Sequence, residues 1–241
     1  MSEKLIIAIE TSGRVGSAAI GRGDDLISEI SFSGFMKHSA ELFSALEKLL
    51  HQANAAADAI EQCYITAGPG SFTGLRIAVT AAKMFYFTQK TQIVAADSMD
   101  VIAESASRYT AETGQSVDCI TTILDAKKDL FYAAVFDRVD ENWQKCFDTQ
   151  IVTAEQLLVW LETNKRQNVG LLGEGLVYYA EKFNAPFTHL LGDPYWSATA
   201  AGLFRVGRRM AAEKQFADPF ALTPKYIREP DAAVKRLRQK S

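Results

Sequence analysis

A glycine-rich stretch, Gly68-Pro69-Gly70-Ser71-Phe72-Thr73-Gly74-Leu75-Arg76, constrains the fold of this chain more than any other. The apolar run 63–67 before it has the composition of a buried strand. About fourteen residues without glycine or proline follow it and are typical of a helix. Glycine adopts positive φ without steric cost, and Thr73 is a suitable N-cap for that helix. The stretch is therefore predicted to be a turn that leads from a strand into a helix.

Such a turn has two alternative roles, a tight connector, which is the commoner, or an anion cradle built from backbone amides and the positive end of the helix. Leu75 and Arg76 stand where a P-loop needs Lys followed by Ser or Thr. The last glycine is one residue too far along for the dinucleotide fingerprint, although Asp97 could imitate its ribose-binding acid. If the turn does bind a nucleotide or another anion, the candidate residues are Gly68, Gly70, Ser71, Thr73, Gly74 and Arg76.

The strand pattern at the start of the chain recurs in its second half. The runs 5–9, 17–20 and 26–32 predict a three-stranded meander, and the runs 119–125 and 130–136 repeat the first two. We call the first strand of each set, 5–9 and 119–125, its leading strand. Glu10 directly follows the first leading strand, and Asp125 is the last residue of the second. This repetition is typical of the two-lobed actin-like ATPase fold, an α/β arrangement of duplicated ribonuclease H-like lobes. The polar stretch 110–116 is the predicted boundary between them.

The turn after the second leading strand differs from the turns that bind phosphates in this fold. Active proteins of the fold hold ATP between two glycine-bearing turns, one in each lobe, but residues 126–129 contain no glycine. Half of the ATP site is therefore predicted to be missing. Glu10 and Asp125 are then expected to fix turn amides instead of orienting Mg²⁺ or water. A stand-alone ATP-binding small-molecule kinase or ATPase is the alternative.

Charge and cysteine content exclude several classes of protein. A net charge of −3 and a pI near 5.7 argue against tight binding of nucleic acid by this chain alone. Three cysteines, far apart in the sequence, predict reduced core residues and neither a disulfide framework nor a metal set. No apolar run is long enough for a signal peptide or a membrane span, so we expect a cytoplasmic protein.

The glycine-rich stretch resembles the signature of the bacterial TsaB (YeaZ) family. The resemblance extends over nearly the whole chain, through 7–12, 38–41, 124–127 and 224–228. It implies a non-catalytic subunit that pairs with TsaD, and with the ATPase TsaE, to transfer threonylcarbamoyl from its adenylate to N6 of the tRNA adenosine beside the anticodon. It also implies a homodimer when the chain is alone, indirect contact with tRNA, and no required cofactor beyond a possible weak nucleotide at the partner junction.

Two predicted helices carry the expected interface. The helix over 37–53 has one apolar stripe, whereas the helix after the glycine turn is apolar around most of its circumference and is either deeply buried or covered by a partner. The resemblance favours a partner, since the family pairs through these helices. Leu46→Glu or Met84→Glu is therefore expected to abolish pairing and leave the fold intact. The candidate interface residues are Phe43, Leu46, Leu50, Arg76, Thr80, Lys83, Met84 and Phe87.

No catalytic or metal-binding residues are predicted. TsaD binds its metal through two histidines four residues apart, but here Leu42 follows His38 at that spacing, and no Gly-x-Ser-x-Gly motif is present. The resemblance also implies that a helix beginning near Ser197 returns to the first lobe. That lobe then comprises 1–108 with 197–241, and the second lobe 109–196. The segment 225–241 has six Lys or Arg against two acids; a solvated tail is the simpler interpretation and a contact with tRNA or a partner the alternative.

Overall fold

The computed structural model describes residues 3–33 and 38–227, which form two five-stranded mixed sheets flanked by helices. The main elements are β1 (Leu5–Glu10), β2 (Ser17–Arg22), β3 (Asp25–Ser31), α1 (His38–Gln52), β4 (Ile60–Gly68), α2 (Phe72–Gln89), β5 (Gln92–Asp97), α3 (Ser98–Thr113), β6 (Cys119–Asp125), β7 (Phe131–Val139), β8 (Asn142–Val152), α4 (Ala154–Thr163), β9 (Val169–Leu172), α5 (Leu176–Tyr179), β10 (Thr188–Leu190) and α6 (Ala200–Ala212).

The two sheets have the same topology. The first has the order β3-β2-β1-β4-β5, and the second, taken from its β8 edge, has the order β8-β7-β6-β9-β10. In each, three strands form an antiparallel meander, and the last two continue the sheet in parallel with the leading strand. This duplication confirms the two-lobed actin-like prediction. Glu10 pairs with Ser17 and Asp125 with Phe131, so both acids occupy the turn ends of the leading strands.

Helices cover both faces of the first sheet. Successive side chains of a strand point to opposite faces, and on β1 both sets are buried. Ile7 and Ile9 lie in one apolar cluster with residues of α1 and α2. Ile6 and Ala8 lie in another with residues of α3 and α6. The α1–α2 layer is therefore the outer layer of this lobe.

The α3–α6 layer joins the two lobes through one continuous apolar core. The cluster that contains Ile102 of α3 and Leu203 of α6 also contains Ile120, Phe136 and Leu172 of the second sheet. A third cluster, with Leu157 of α4, covers the other face of that sheet. A partner that binds the outer side of the first lobe therefore contacts α1 and α2.

The start of α4 and the end of α3 both follow local sequence signals. Thr153 and Gln156 form a capping box at the start of α4. Helix α3 continues to Thr113, into the polar stretch 110–116 that was predicted as the boundary between the lobes, and stops where Gly114 adopts a left-handed φ of 71°. Within the described residues, no helix combines the length and the apolar character that crossing a membrane requires.

Candidate functional site

The glycine turn enters α2 through Ser71 and not through Thr73. The helix begins at Phe72, and Ser71 Oγ accepts a hydrogen bond from Gly74 N at 3.3 Å. An N-cap stands immediately before the first helical residue, so Thr73 already lies inside the first turn, where it is exposed. The prediction of Thr73 as the cap is therefore wrong.

The glycines of this turn allow backbone to pack against backbone. Ser71 N donates to Ser12 O at 2.8 Å, and Thr11 Oγ1 donates to Gly74 O at 2.7 Å. A Cβ added at Gly70 would lie 2.5 Å from Ser12 O, and one added at Gly74 would overlap Thr11 O. These contacts join the glycine turn to the turn between β1 and β2, which is the geometry of a tight connector.

The C-terminal segment covers the other side of the glycine turn. Lys225 N donates to Ala67 O at 2.6 Å, and a Cβ on Gly68, whose φ is +123°, would lie 2.6 Å from Lys225 O. Arg76 Nε donates to Tyr226 Oη at 2.9 Å, and the rings of Tyr226 and Phe72 are 4.9 Å apart. Residues 68–76 and 224–226 thus form one structure. The sequence did not indicate that 224–226 lies against the glycine turn, and 228–241, with most of the basic tail, falls outside the described residues.

Glu10 is completely buried beneath the β1–β2 turn. Its Oε1 accepts hydrogen bonds from Ser12 N and Ser12 Oγ, both at 2.6 Å, and from Gly13 N at 3.3 Å. Its Oε2 has no hydrogen-bond partner among the described residues. Burial raises the pKa of the Glu10 carboxyl above its ordinary value, and the hydrogen bond from the Ser12 hydroxyl opposes that rise. The acid holds the turn together at the cost of its own desolvation.

This burial predicts a pH dependence for Glu10→Gln. A raised pKa means that the folded protein holds this proton more tightly than the unfolded chain. The contribution of Glu10 to stability is therefore fully present below the unfolded pKa, near 4.5, and is lost as the pH rises through the folded pKa. Relative to the unchanged protein, Glu10→Gln should gain stability with rising pH, by at most about 1.4 kcal/mol per pH unit. Urea unfolding of both proteins between about pH 4 and pH 8 measures this, and a difference that stays constant with pH contradicts it.

Asp125 binds the equivalent turn of the second lobe. Its Oδ1 accepts from Lys127 N at 2.6 Å, and its Oδ2 pairs with Lys127 Nζ at 2.6 Å. Lys127, Lys128 and Asp129 all have left-handed φ, between 57° and 66°, although none is glycine. Three residues with side chains thus adopt the left-handed conformation that glycine takes without steric cost. Both acids thus accept hydrogen bonds from the backbone amides of their own turns, which is the structural role expected for them.

The candidate interface residues divide by exposure. Phe43 is 58% and Phe87 55% exposed, and Met84 is also exposed, which is unusual for apolar side chains of this size. Arg76 and Thr80 are exposed as well, and Leu50 and Lys83 are half-buried. Leu46 is only 5% exposed and packs in the core beneath α1. The expectation that Leu46 faces a partner, and that its replacement spares the fold, is therefore wrong, because its side chain points into the sheet.

Sequence reasoning missed Phe220, which extends the exposed apolar surface of α2. It is 71% exposed, and its ring lies 5.8 Å from that of Phe87 and 5.9 Å from that of Tyr86. Its neighbour Leu222 is buried in the α1–α2 core and holds the segment there. Only an isolated aromatic residue in a loop signalled this position. We call Phe43, Met84, Phe87 and Phe220 the apolar surface of the first lobe.

The histidines do not form a metal site with other side chains that the structure describes. His51 is exposed at the end of α1, and the side chain of His38 lies outside the described part. Across 3–33 and 39–227, no three His, Cys, Asp or Glu side chains are grouped closely enough to hold a metal ion.

Sequence comparisons relate this chain to known proteins. A family model described as "TsaD: tRNA N6-adenosine threonylcarbamoyltransferase" matches residues 32–234. The tRNA threonylcarbamoyladenosine biosynthesis protein TsaB of Bacillus subtilis (strain 168) is 26% identical over 237 residues, which cover 95% of this chain and 96% of that protein. The TsaB protein of Buchnera aphidicola is 24% identical over 139 residues, which cover 58% of this chain and 61% of that protein.

A solved structure shows the same fold. YeaZ from Pseudomonas aeruginosa superimposes with a TM-score of 0.79 at 19% identity, over 92% of this chain and 99% of that one. With a family model that spans most of the sequence and TsaB relatives in two bacteria, the chain belongs to the TsaD-type family and, within it, to the TsaB (YeaZ) group.

Proposed function

We propose that this chain is the non-catalytic subunit of a tRNA threonylcarbamoyladenosine synthesis complex and pairs with a TsaD-like catalytic subunit. The apolar surface of the first lobe carries this proposal. Three large apolar side chains there, Phe43, Phe87 and Phe220, are each more than half exposed on or beside the outer helices. Exposed aromatic groups that can be buried by a partner are typical anchors of protein interfaces.

The state of the two acids supports the non-catalytic part of the proposal. Glu10 is sealed below its turn, and the ammonium of Lys127 lies against Asp125. An acid that orients Mg²⁺ and phosphate must present a free oxygen to them. In this chain Glu10 Oε1 and both oxygens of Asp125 bind groups of their own turns, and Glu10 Oε2 is buried. The chemistry of the complex is then supplied by the TsaD-like partner, with a TsaE-like ATPase as a further component and with tRNA bound mainly by the other subunits.

Reconstitution of tRNA modification tests this function. A TsaD-like and a TsaE-like subunit from the same source, with threonylcarbamoyl adenylate supplied, should modify tRNA only when this chain is added. The chain alone should produce no modification. Equal modification without the chain contradicts the proposal. Micromolar binding of Mg-ATP with turnover by the isolated chain would instead support a stand-alone kinase or ATPase.

Phe87→Glu should weaken pairing with the TsaD-like subunit by at least about 30-fold, because a charged group then has to be buried against an apolar partner. The fold should be unaffected, since Phe87 is largely exposed. Val159→Glu is the matched control, since Val159 is also 55% exposed but lies on α4 of the second lobe. Calorimetric titration measures both variants. Unchanged affinity of Phe87→Glu, or equal loss in both variants, places the interface elsewhere.

The same surface predicts the state of the isolated chain. An uncovered apolar surface favours self-association, so we propose that the chain forms a homodimer through α1 and α2 when alone in the cytoplasm. Sedimentation should show a dimer that Phe87→Glu converts to a monomer and that an excess of the TsaD-like subunit dissociates. A dimer that persists in Phe87→Glu contradicts the shared surface.

A further inference from the structure

A carboxylate of the second lobe binds the β1–β2 turn of the first. Both oxygens of Glu174 accept from Arg14 N, at 3.1 and 3.0 Å, and Oε1 also accepts from Ser197 Oγ at 2.9 Å. Glu174 and Arg14 are 160 residues apart in the chain. Their contact therefore depends on how the two lobes are placed and not on local structure.

The turn that carries Glu174 is held rigidly by the leading strand of the second lobe. Gly175 N donates to Ile123 O at 3.0 Å. A Cβ added at Gly173, whose φ is +122°, would overlap the backbone of Ile123. With its backbone fixed on both sides, Glu174 is presented towards the first lobe with little freedom, so less conformational entropy is lost when its side chain binds there.

The receiving turn is shaped to accept a carboxylate. A Cβ added at Gly13 would lie 3.0 Å from Glu174 Oε1, so glycine leaves room for that oxygen. The amides of Ser12 and Gly13 donate to Glu10, and the next amide, that of Arg14, donates to Glu174. The Arg14 guanidinium also lies 5.6 Å from the centre of the Tyr178 ring, on the helix that follows Glu174. Three successive amides are thus bound by two carboxylates, one from each lobe.

A second set of contacts joins the lobes along α3. Lys145 Nζ of β8 lies 2.9 Å from Asp100 Oδ1, and Trp143 Nε1 donates to Ser107 Oγ at 3.0 Å. These contacts lie on the helix that also connects the two sheets in the chain. The Glu174 contact joins the β1–β2 turn to the turn that follows β9, which is where lobes that pivot about α3 would separate.

We propose that Glu174 is an interlobe latch, an internal ligand of the β1–β2 turn that holds the lobes closed where an exchangeable anion would otherwise bind. The proposal is independent of the partner function, because it concerns the position of one lobe relative to the other. It also gives Gly13 and Glu174 a joint role, since the small residue admits the carboxylate.

Hydrogen exchange of the intact chain tests the latch. In Glu174→Ala, the amides of the peptide 11–16 should exchange about tenfold faster than in the unchanged protein, because the hydrogen bond to a charged acceptor is lost. The radius of gyration from solution scattering should also increase. Glu181→Ala is the matched control, because this exposed carboxylate of the same lobe makes no hydrogen bond or ion pair to any side chain or backbone group that the structure describes. It should change neither quantity.

Gly13→Ala provides an independent variant that keeps the carboxylate. Its added methyl group presses on Glu174 Oε1 and should speed exchange in the same peptide and increase the radius of gyration. Glu174→Ala cannot be used as a test if it exchanges rapidly throughout the chain, as an unfolded protein does. In that case Gly13→Ala is the variant that tests the latch. The latch proposal is overturned if a variant that stays folded matches the unchanged protein both in the exchange of peptide 11–16 and in its radius of gyration.

Discussion

Gly74→Ala is expected to lower the free energy of unfolding by at least about 3 kcal/mol. The added methyl group would overlap the carbonyl oxygen of Thr11, which belongs to the backbone of the first lobe. The clash cannot be relieved by rotating a side chain, because the atom that the methyl group meets is a backbone oxygen. The two backbones cannot easily move apart either, since Thr11 Oγ1 donates to Gly74 O and both residues are buried. The better helix propensity of alanine offsets only about 1 kcal/mol of this loss of stability. Urea denaturation measures the difference.

Gly192→Ala is the control for that measurement. The nearest atom to its added Cβ would be 3.5 Å away, an ordinary contact, and its φ of −56° suits any residue. The free energy of unfolding should change by less than about 1 kcal/mol. A loss at Gly74 as small as that at Gly192 would mean that α2 and the β1–β2 turn separate easily. The close approach of the two backbones would then not be required for stability.

Leu46→Glu is expected to prevent the first lobe from folding. Leu46 lies in the core between α1 and the first sheet, in the cluster that also contains Leu42 and Leu49. A carboxylate there loses its hydration without gaining a partner, which costs about 4 kcal/mol or more and approaches the whole stability of a typical domain. Circular dichroism should show a large loss of structure, and binding to the TsaD-like subunit should disappear with it.

Phe43→Glu separates the loss of folding from the loss of pairing. Phe43 is one turn before Leu46 on the same helix but is 58% exposed. Its replacement should keep the circular dichroism spectrum and the unfolding midpoint close to those of the unchanged protein, and should weaken pairing. If Leu46→Glu also remained folded and lost only pairing, Leu46 would face the partner after all. The direction of the α1 side chains would then differ from that in this structure.

The strands and their duplication could be predicted from sequence because they depend on local patterns. Apolar runs bounded by turn residues identified the first three strands, and the same signals identified the counterparts of the first two in the second sheet. The acids after or at the ends of the leading strands were located in the same way. Helix α3 reaches into the stretch 110–116 that was predicted as a boundary, because its polar last turn resembles a linker until the left-handed Gly114 ends the helix.

The faces of the helices were harder to predict. An apolar stripe shows that a helix has a buried side, but Leu46 and Phe43 are both apolar, and only packing on the sheet decides which of them is covered. On α2, small residues such as Ala78 and Ala82 make the close contact, and the larger Met84 and Phe87 remain exposed. Side-chain size alone therefore could not decide between the two expectations for α2, deep burial and cover by a partner.

The sequence by itself determined the α/β class, the two equivalent lobes, the glycine turn and the family, since each depends on residues close together in the chain or on a recognisable motif. Only the tertiary structure decided what these parts contact: Thr11 and Ser12 against the glycine turn, Tyr226 beside Arg76, and Glu174 on Arg14. The physical reason is that hydrogen bonds and close packing between distant segments depend on the relative position of whole elements. That position is set by the shared α3–α6 core and has no local signal in the sequence.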